Sequence, residues 1–460
     1  MNRKKKSALP WLIGIGVCIV LLFVLLLAVV MMTGVTSGSL YGETPFSLSS
    51  LTSGETNAAS IEQAIVPSFI GIVTGGSKQG ITAGDSVIEE IYAALAPWIA
   101  DALATEPYTA ASGPDMQEEM LIIEYHAALP GVYIAACASA LAGSDAAYTD
   151  PTLFSGAKRL FLQITPGGKY VVLTESADSG WLRYTCTAEM GEAYPTAQKW
   201  TEWLENFRNH FYRFAFAAEL AHTETVADDA DYSDPYEIVF LERMRTRGMI
   251  VGNETGTMLR NRQDHTDIFV RLLGYNPDKL SSREEKDGSL TLVENHGILR
   301  LGTESFLYTA NADGGLELSG IIGYRERYTA VDLLRGAWTV LETLRSLQPY
   351  CVGADAEVTL ISVCHTAEGI RLSFSYTFDN LLLDHCAPAA VFTFSEDFRL
   401  ISMGIYSIAV RSIGEYSVVY AENGVRTMLG YGSTILVYET DFSALSVFPE
   451  WVHVRTEAGS

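Results

Sequence analysis

Two adjacent cysteine–histidine pairs are the residues whose types and spacing come nearest to a recognisable chemical site. Cys364-His365 and His385-Cys386 lie among strand-forming sequence, and two cysteines with two histidines can hold a tetrahedral zinc ion. Neighbouring side chains of a strand point to opposite faces, however, so a strand cannot direct both members of one pair at the same metal. We therefore favour a thiol or disulfide beside a surface histidine, and we predict no metal and no other cofactor.

The cysteines leave the disulfide pattern open. Those that follow the first apolar segment are Cys137, Cys186, Cys351, Cys364 and Cys386. Disulfides persist outside the reducing cytoplasm, so one or two bridges are compatible with this set. Three of the cysteines fall between Cys351 and Cys386, which favours a local bridge there, and isolated buried thiols are the alternative.

An acidic stretch resembles a calcium-binding loop only superficially. Asp228, Asp229, Asp231 and Asp234 lie within VADDADYSDPY, but the loop glycine and the glutamate at the twelfth position of an EF-hand are missing, so a solvated loop is favoured. The chain also contains no GxSxG, HExxH, phosphate-loop or paired CxxC motif, and its eight histidines are scattered. We therefore predict no catalytic residue.

Residue patterns predict the elements of the first half of the outer chain. A helix is predicted over Ser86–Ala104, where Ser86 and Glu89 form a capping box. Short strands are predicted over 119–186, including all of MLIIEYHAALPGVYIAACA. Aromatic residues at three- and four-residue steps predict one long helix over 196–222.

In the second half of the outer chain, the residue patterns predict a β-meander, a helix and a set of strands. The predicted meander strands are SLTLVE, ILRLG, FLYTA and LELSG, after a short helix over 266–273. Thr329 and Asp332 form a capping box for a helix over 329–347. Predicted antiparallel strands follow at 358–363, 370–378, 390–394, 400–410 and 434–438, and 370–378 alternates most clearly.

These elements predict an α+β fold: a single N-terminal transmembrane helix followed by a multi-domain extracytoplasmic region of antiparallel sheets with packed helices. The predicted parts are a cytoplasmic basic tail (1–10), the transmembrane helix (11–32), a flexible stalk (33–60), an N-terminal α+β domain (61–226), a middle α+β domain with the meander (227–324) and a C-terminal antiparallel-sheet domain (325–455).

The N-terminal segment predicts where the protein works. Trp11 to Met32 contain no charged residue, and at ~1.5 Å per residue this is about 33 Å of helix, enough to cross a bilayer. The basic residues Arg3 to Lys6 place the N-terminus in the cytoplasm. A cleavable signal peptide is the alternative, but its apolar core is usually shorter and ends at a small-residue site. We predict a single-pass protein of the cell membrane whose later domains are extracellular.

The outer region is strongly acidic. The chain has 460 residues and a formal net charge of −24, and the region after Met32 carries 27 basic against 55 acidic residues. Such a surface repels nucleic acid and anionic lipid, so no nucleic-acid partner is predicted. A cationic ligand or a basic protein partner is compatible with it, and so is solubility alone.

One segment carries a family resemblance. Residues 268–318, IFVRLLGYNPDKLSSREEKDGSLTLVENHGILRLGTESFLYTANADGGLEL, resemble the YycH family of bacterial membrane-anchored regulators. The matching features are the helix stop at Asn276-Pro277, the pair Arg283-Glu284, the turn at Asp287-Gly288 and the strands that run to Leu318. The order of segments is similar too: a basic N-terminal cluster, a single membrane span and a long outer region.

The resemblance implies a binding role. Proteins of this family act beside a smaller YycI-like partner on the membrane sensor histidine kinase that controls cell-wall metabolism in low-GC Gram-positive bacteria, and the family offers no catalytic residues to transfer. The alternative is an extracytoplasmic wall-active enzyme or ligand-binding protein. A deep, polar, acid-lined cleft would favour that alternative, because an enzyme needs convergent polar groups.

Overall fold

The computed structural model describes residues 58–82, 86–110, 112–144, 156–176, 180–187, 194–220, 234–252, 266, 270, 272–302, 305–311, 314–347, 356–384, 388–429, 434–439 and 447–453. These residues form a mixed α+β fold dominated by antiparallel sheets, which agrees with the predicted fold class at that level. Within them, no helix has the length and apolar character needed to cross a membrane. The predicted span at 11–32 and most of the predicted stalk lie outside the described residues.

The first sheet forms from short apolar segments separated by turns. Its strands are β1 (Pro67–Thr74), β2 (Ser77–Thr82), β3 (Tyr108–Ala110), β4 (Met120–Leu129), β5 (Ala157–Ile164), β6 (Tyr170–Ser176), β7 (Gly180–Thr185), β8 (Tyr212–Phe216) and β9 (Ile238–Phe240). They lie in the order β3-β7-β6-β5-β4-β1-β2-β8-β9. Gly75 and Gly76 form the two-residue turn between β1 and β2, and both have positive φ, as the favoured hairpin turn requires.

Helices pack on this sheet and bury aromatic side chains. They are α1 (Ser86–Leu103), α2 (Gly131–Leu141), α3 (Ala197–Asn206) and the short α4 (Ala217–Leu220). The predicted α1 is confirmed, and it packs on β1, β6 and β7 and against α2. Trp98 of α1 and Trp200 of α3 are both buried, with stacked rings whose centroids are 6.4 Å apart. Burial of such large aromatic groups fixes both helices on the sheet.

The strand prediction over residues 131–138 was wrong, because this segment begins α2. From Gly131 to Ser139 every residue is buried, so the segment is apolar on all sides and shows no helical stripe in the sequence. Periodicity cannot distinguish such a helix from a buried strand. Pro130 stands at the N-cap of α2, a position compatible with the fixed φ of proline.

The prediction of one long helix over 196–222 was wrong over 207–216, which separate α3 from the short α4. The chain leaves α3 there and returns as β8, which pairs with β2 and β9. Phe214 and Phe216 are buried on β8 with a spacing of two residues, which is the period of a strand. The same aromatic residues fit a helical and a strand pattern, and pairing with β2 and β9 selects the strand.

The second sheet is built from the predicted meander and the C-terminal strands. They are β11 (Ser281–Glu284), β12 (Leu290–Glu294), β13 (Gly297–Leu301), β14 (Ser305–Ala310), β15 (Leu316–Glu317), β16 (Glu357–Thr366), β17 (Gly369–Phe378), β18 (Leu381–Asp384), β19 (Ala390–Phe394), β20 (Arg399–Tyr406), β22 (Thr434–Glu439) and β23 (Glu450–His453). The order is β11-β12-β13-β14-β20-β19-β17-β18-β22-β23, with β15 on β20 and β16 on β17. The pairing of β18 with β22 is parallel, and the other pairs are antiparallel.

A separate two-stranded ribbon accompanies this sheet. It consists of β10 (Met244–Gly252) and β21 (Ala409–Val419). The strand predicted over 400–410 is therefore divided, since β20 stays in the second sheet and residues 409–410 begin β21. As predicted, 370–378 and most of 400–410 share one sheet, with β19 between them.

The helices of this half are α5 (Leu318–Ile322), α6 (Ala330–Leu347) and α7 (Glu422–Leu429). One half of the predicted capping box of α6 is present, because the backbone N–H of Thr329 donates to Asp332 Oδ2 at 2.9 Å. The Thr329 hydroxyl donates to the same oxygen, and the Asp332 N–H donates to the Thr329 carbonyl at 3.0 Å. Trp338 of α6 is buried and lies against Phe374 of β17, with ring centroids 6.1 Å apart. The helix is thus packed on the second sheet, as predicted.

Hydrogen-bonded strands cross both predicted domain boundaries. β8 pairs with β9 across residue 226, and β14 pairs with β20 across residue 324. The second sheet also contacts the segment that leads into β1, since the N–H of Leu360 in β16 donates to the Ala64 carbonyl at 2.9 Å. Buried apolar side chains form a contiguous core through both sheets. The division into three α+β domains at 61–226, 227–324 and 325–455 stays a prediction.

Candidate functional site

The structure describes one of the two cysteine–histidine pairs. Cys364 and His365 are both exposed on β16, opposite Arg371 and Ile370 of β17, and His385 and Cys386 lie outside the described residues. Among the residues that are described, no cluster of His, Cys, Asp or Glu has the geometry to hold a metal ion.

The remaining cysteines of the described chain are buried. Cys137 and Cys186 are free thiols. Burial, and next the charge of Asp101, raises the pKa of Cys186 to about 12. A thiol with so high a pKa stays protonated at neutral pH and is a poor nucleophile, so Cys186 has a packing role in this structure.

Asp234, the one residue of the acidic stretch 228–234 named above that the structure describes, belongs to a partly buried ion network. Arg159 donates to both Asp234 and Glu124, and Lys158 lies 3.2 Å from Glu124. Burial alone would raise the pKa of Glu124, but Arg159 and Lys158 lower it to about 2. A cavity of about 320 Å³ adjoins this network. Its charged groups already neutralise one another, which favours a structural role.

One of the histidines, His126, also makes a structural contact. Its Nε2 lies 3.2 Å from Oδ1 of Asn380, whose amide donates to the Pro67 carbonyl at 2.6 Å. Burial lowers the pKa of His126 to about 4, so the imidazole is neutral at pH 7. The pair His126–Asn380 therefore joins β4 to the β17–β18 turn.

An acid-rimmed cleft of about 450 Å³ lies between α1, α6 and β16. It is lined by Glu62, Gln63, Ile65, Val66, Glu89, Glu90, Tyr92, Ala93, Leu141, Trp338, Arg345, Glu357, Val358 and Thr377. The glutamates contribute the rim, whereas Ile65, Tyr92 and Trp338 are buried core residues that form the floor. A cleft of this size with an apolar floor and a charged rim is suited to a small amphipathic ligand.

The electrostatics of the cleft favour a cation. Loss of solvent around the carboxylate, and next the charge of Glu89, raises the pKa of Glu357. Arg345 is the basic residue of the lining, and it donates to the Ala356 carbonyl at 3.1 Å and lies 3.7 Å from Glu342. A bound cation would relieve the repulsion between Glu357 and Glu89.

The second candidate is the ribbon of β10 and β21, which we call the arginine–tyrosine ribbon. One of its faces is fixed to the protein. Met244, Met249 and Val251 are buried, the Tyr438 hydroxyl donates to the Arg247 carbonyl at 2.7 Å, and Met249 bridges to Val447. A Cβ at Gly248 would lie 2.4 Å from the ring of Phe448, so only glycine fits there. The backbone of the ribbon is therefore held in place.

The other face of the ribbon exposes aromatic and apolar side chains between arginines. Tyr420 is 64% exposed, Val418 60%, Tyr416 50% and Ile250 42%. The guanidinium carbon of Arg245 lies 4.0 Å from the centre of the Tyr416 ring, and that of Arg243 lies 5.3 Å from the Tyr420 ring. These are cation–π contacts, which hold the long arginine side chains over the rings.

This face is basic although the chain is acidic. Arg243, Arg245 and Arg247 stand at alternate positions and are all exposed. Arg247 lies 3.6 Å from Asp379, whereas Arg243 and Arg245 form no ion pair with any carboxylate of the described residues. Arginine and tyrosine are enriched where proteins bind one another, so this composition is typical of an interaction surface.

Sequence reasoning missed both places, for different reasons. The cleft combines residues from separate parts of the chain, such as Glu62, Glu89 and Glu357, and no local pattern connects them. The ribbon does have a signal: Arg243, Arg245 and Arg247 alternate, and so do Tyr416, Val418 and Tyr420. That period-two pattern with an exposed apolar set was available from the sequence.

Comparisons with known proteins leave the family open. No protein-family model matches the chain, and no protein with a curated description matches it. Among solved structures, the chain is similar to the crystal structure of an uncharacterized protein from Eubacterium rectale ATCC 33656, at 10% sequence identity over 47% of this chain and 80% of that one. The TM-score is 0.28, a similarity from which we draw nothing.

Proposed function

We propose that the protein is a membrane-anchored extracytoplasmic regulator that binds and modulates a sensor histidine kinase controlling cell-wall metabolism, beside a YycI-like partner. The observation that carries this proposal is the uncharged segment from Trp11 to Met32 behind the basic residues Arg3 to Lys6, joined to a segment that resembles the YycH family. The protein acts by binding and not by catalysis.

The described structure supports a binding role at two points. Three of the four predicted meander strands form, as β12, β13 and β14, whereas the fourth, LELSG, is a strand only at Leu316–Glu317 and then begins α5. The arginine–tyrosine ribbon offers an exposed surface of the composition that protein partners use. A regulator can contact its kinase through both the membrane span and an outer surface. The first contact then raises the effective concentration at which the second one forms.

The proposal is tested by exchanging the span. Trp11 to Met32 are replaced by an unrelated apolar segment of equal length, with the basic residues and the outer domains unchanged. We expect transcription of cell-wall genes under the kinase to change while export is normal, because helix contacts within the membrane are lost. A protease added to intact cells should digest the outer region in both versions and leave a small membrane fragment. Unchanged transcription together with a mature protein in the medium would refute the anchored regulator.

The acid-rimmed cleft favours a second candidate, an extracytoplasmic ligand-binding protein. Its apolar floor and glutamate rim fit an amphipathic cation. Dodecylamine and dodecyl sulfate, which differ in the sign of the head group, are the matched probes. If this candidate holds, dodecylamine quenches tryptophan fluorescence at the lower concentration, and Glu357→Gln combined with Glu89→Gln removes the difference. If dodecylamine and dodecyl sulfate quench equally, their binding is nonspecific detergent binding, and the ligand-binding candidate is excluded.

A further inference from the structure

We infer that the arginine–tyrosine ribbon is a docking surface for an extended acidic segment of a partner protein. The inference rests on the proposed function in one respect: the ribbon would be the extracytoplasmic surface through which the proposed regulator binds its partner. The contact itself follows from the ribbon's charges, rings and rigidity.

The arginines supply the charge complementarity. A guanidinium that lies over a ring uses its flat face for that contact, and its N–H donors remain in the plane, where they can hold a carboxylate by two hydrogen bonds. The guanidinium carbon of Arg245 lies 4.0 Å from the centre of the Tyr416 ring, and that of Arg243 lies 5.3 Å from the centre of the Tyr420 ring. Neither arginine pairs with a carboxylate of the described residues, and a carboxylate of the partner segment would complement their charge.

The spacing of the arginines indicates an extended segment. The three arginines stand at every second position: Arg243 directly precedes β10, and Arg245 and Arg247 lie on it. At ~3.3–3.4 Å per residue, the Cα atoms of successive arginines are about 6.6–6.8 Å apart. A partner strand with Asp or Glu at every second position has the same repeat. Val418 and Ile250, exposed between the charges, provide apolar contacts for the rest of that face.

The rigidity of the ribbon makes it suitable for docking. Its inner side is fixed by the Tyr438–Arg247 hydrogen bond and by the bridge from Met249 to Val447. The indole of Trp451 also donates to the Tyr420 carbonyl at 2.9 Å. A partner would therefore meet side chains already held in position, which lowers the entropic cost of binding.

The occupant is a protein and not an anionic membrane. The region after Met32 carries 27 basic against 55 acidic residues, so a negatively charged bilayer repels the molecule as a whole. An extended protein segment contacts only the local patch, at distances shorter than the ~8–10 Å over which salt screens charge. The membrane is nevertheless the rival that the experiment must exclude.

The test uses the full-length protein in phosphatidylcholine nanodiscs and a labelled peptide of four Glu-Val repeats, with Lys-Val and Gln-Val peptides as controls. We expect the Glu-Val peptide to bind at least tenfold more tightly than either control. Arg245→Glu and Tyr416→Ala should each weaken that binding tenfold or more, and Arg245→Gln should do so in part. The matched controls Arg283→Glu, on the exposed edge strand β11, and Tyr324→Ala, in a loop, should change it less than twofold.

Three outcomes overturn the inference. One is equal binding of the three peptides. Another is an Arg245→Glu effect no larger than that of Arg283→Glu, when circular dichroism shows both variants folded. The third is binding to phosphatidylglycerol vesicles, measured by flotation, that is tighter than binding to the Glu-Val peptide and is lost in Arg245→Glu. That result would assign the surface to the membrane.

The same variants separate this inference from the proposed function. If the ribbon variants lose peptide binding but leave cell-wall gene expression unchanged, the docking surface stands and the kinase proposal fails. If the span exchange alters expression but peptide binding does not depend on the ribbon, the kinase proposal stands and the docking surface fails.

Discussion

The acid-rimmed cleft and the arginine–tyrosine ribbon are opposite in charge and in their relation to the core. The cleft floor is made of core residues such as Trp338, which is 2% exposed, and its rim collects glutamates from distant segments. The ribbon exposes Tyr416, Val418 and Tyr420 on a backbone fixed from the other side. Binding and folding can thus be altered independently at the ribbon, whereas at the cleft floor a substitution affects both.

The largest expected effect is on stability at the cleft floor. Trp338→Ala removes a buried ring that lies against Phe374, and we expect it to lower the free energy of unfolding by ~3–5 kcal/mol. Tyr324→Ala, at a side chain that is 84% exposed, should change it by less than ~0.5 kcal/mol. Urea unfolding followed by circular dichroism measures both. A loss below ~1 kcal/mol for Trp338→Ala would mean that the floor is not part of the core.

The ribbon should show the reverse pattern. Tyr416→Ala removes an exposed ring, so we expect the free energy of unfolding to change by less than ~1 kcal/mol, the size of the lost cation–π contact. Binding of the acidic peptide should weaken by ~2 kcal/mol, or about 30-fold, if this side chain is central to the surface. Urea unfolding and fluorescence anisotropy give the two numbers. If stability fell as much as binding, the ribbon could not be separated from the fold.

A pH titration distinguishes the cleft further. Because the folded-state pKa of Glu357 is raised above the ordinary value of 4.5, the folded chain holds this proton more tightly than the unfolded chain. The resulting stabilisation is complete below the unfolded pKa and is lost as pH rises through the folded pKa. We therefore expect Glu357→Gln to be more stable than the wild type at pH 7 and to lose that advantage near pH 4.

Thermal unfolding across this pH range measures the effect. Glu368→Gln, at the exposed turn between β16 and β17, is the matched control and should follow the wild type. A Glu357→Gln variant that is destabilised at pH 7 would show that the Glu357 carboxylate is stabilising and contradict the assigned electrostatics.

The smallest expected effect is that of salt. Peptide binding to the ribbon depends on exposed charges, so raising the salt concentration from about 50 to 300 mM should weaken it several-fold, because the screening length falls below ~10 Å. Binding of dodecylamine to the cleft, if the second candidate holds, should weaken less, since the apolar floor contributes contacts that salt does not screen. Equal salt dependence at the two places would remove this distinction between them.

Some elements were predictable because their signals are local. The strand Gly369–Phe378 follows the alternation of Leu372, Phe374 and Tyr376 with polar residues, and all three are buried. The helix α6 begins after Thr329, whose backbone N–H donates to the Asp332 carboxylate as the predicted capping pattern requires. Both signals act within a few residues, so no knowledge of the rest of the chain is needed.

By itself, the sequence determined the acidic charge, the uncharged segment Trp11 to Met32 and the elements with local signals. Only the tertiary structure decided that Gly131–Leu141 is a helix and that Phe214 lies on a strand, because each segment fits two periods and its neighbours select one. The tertiary structure alone also brought Glu62, Glu89 and Glu357 to one cleft and placed Arg245 over Tyr416. These contacts join residues far apart in the chain, so they depend on which strands and helices pack together, and local propensity does not encode that choice.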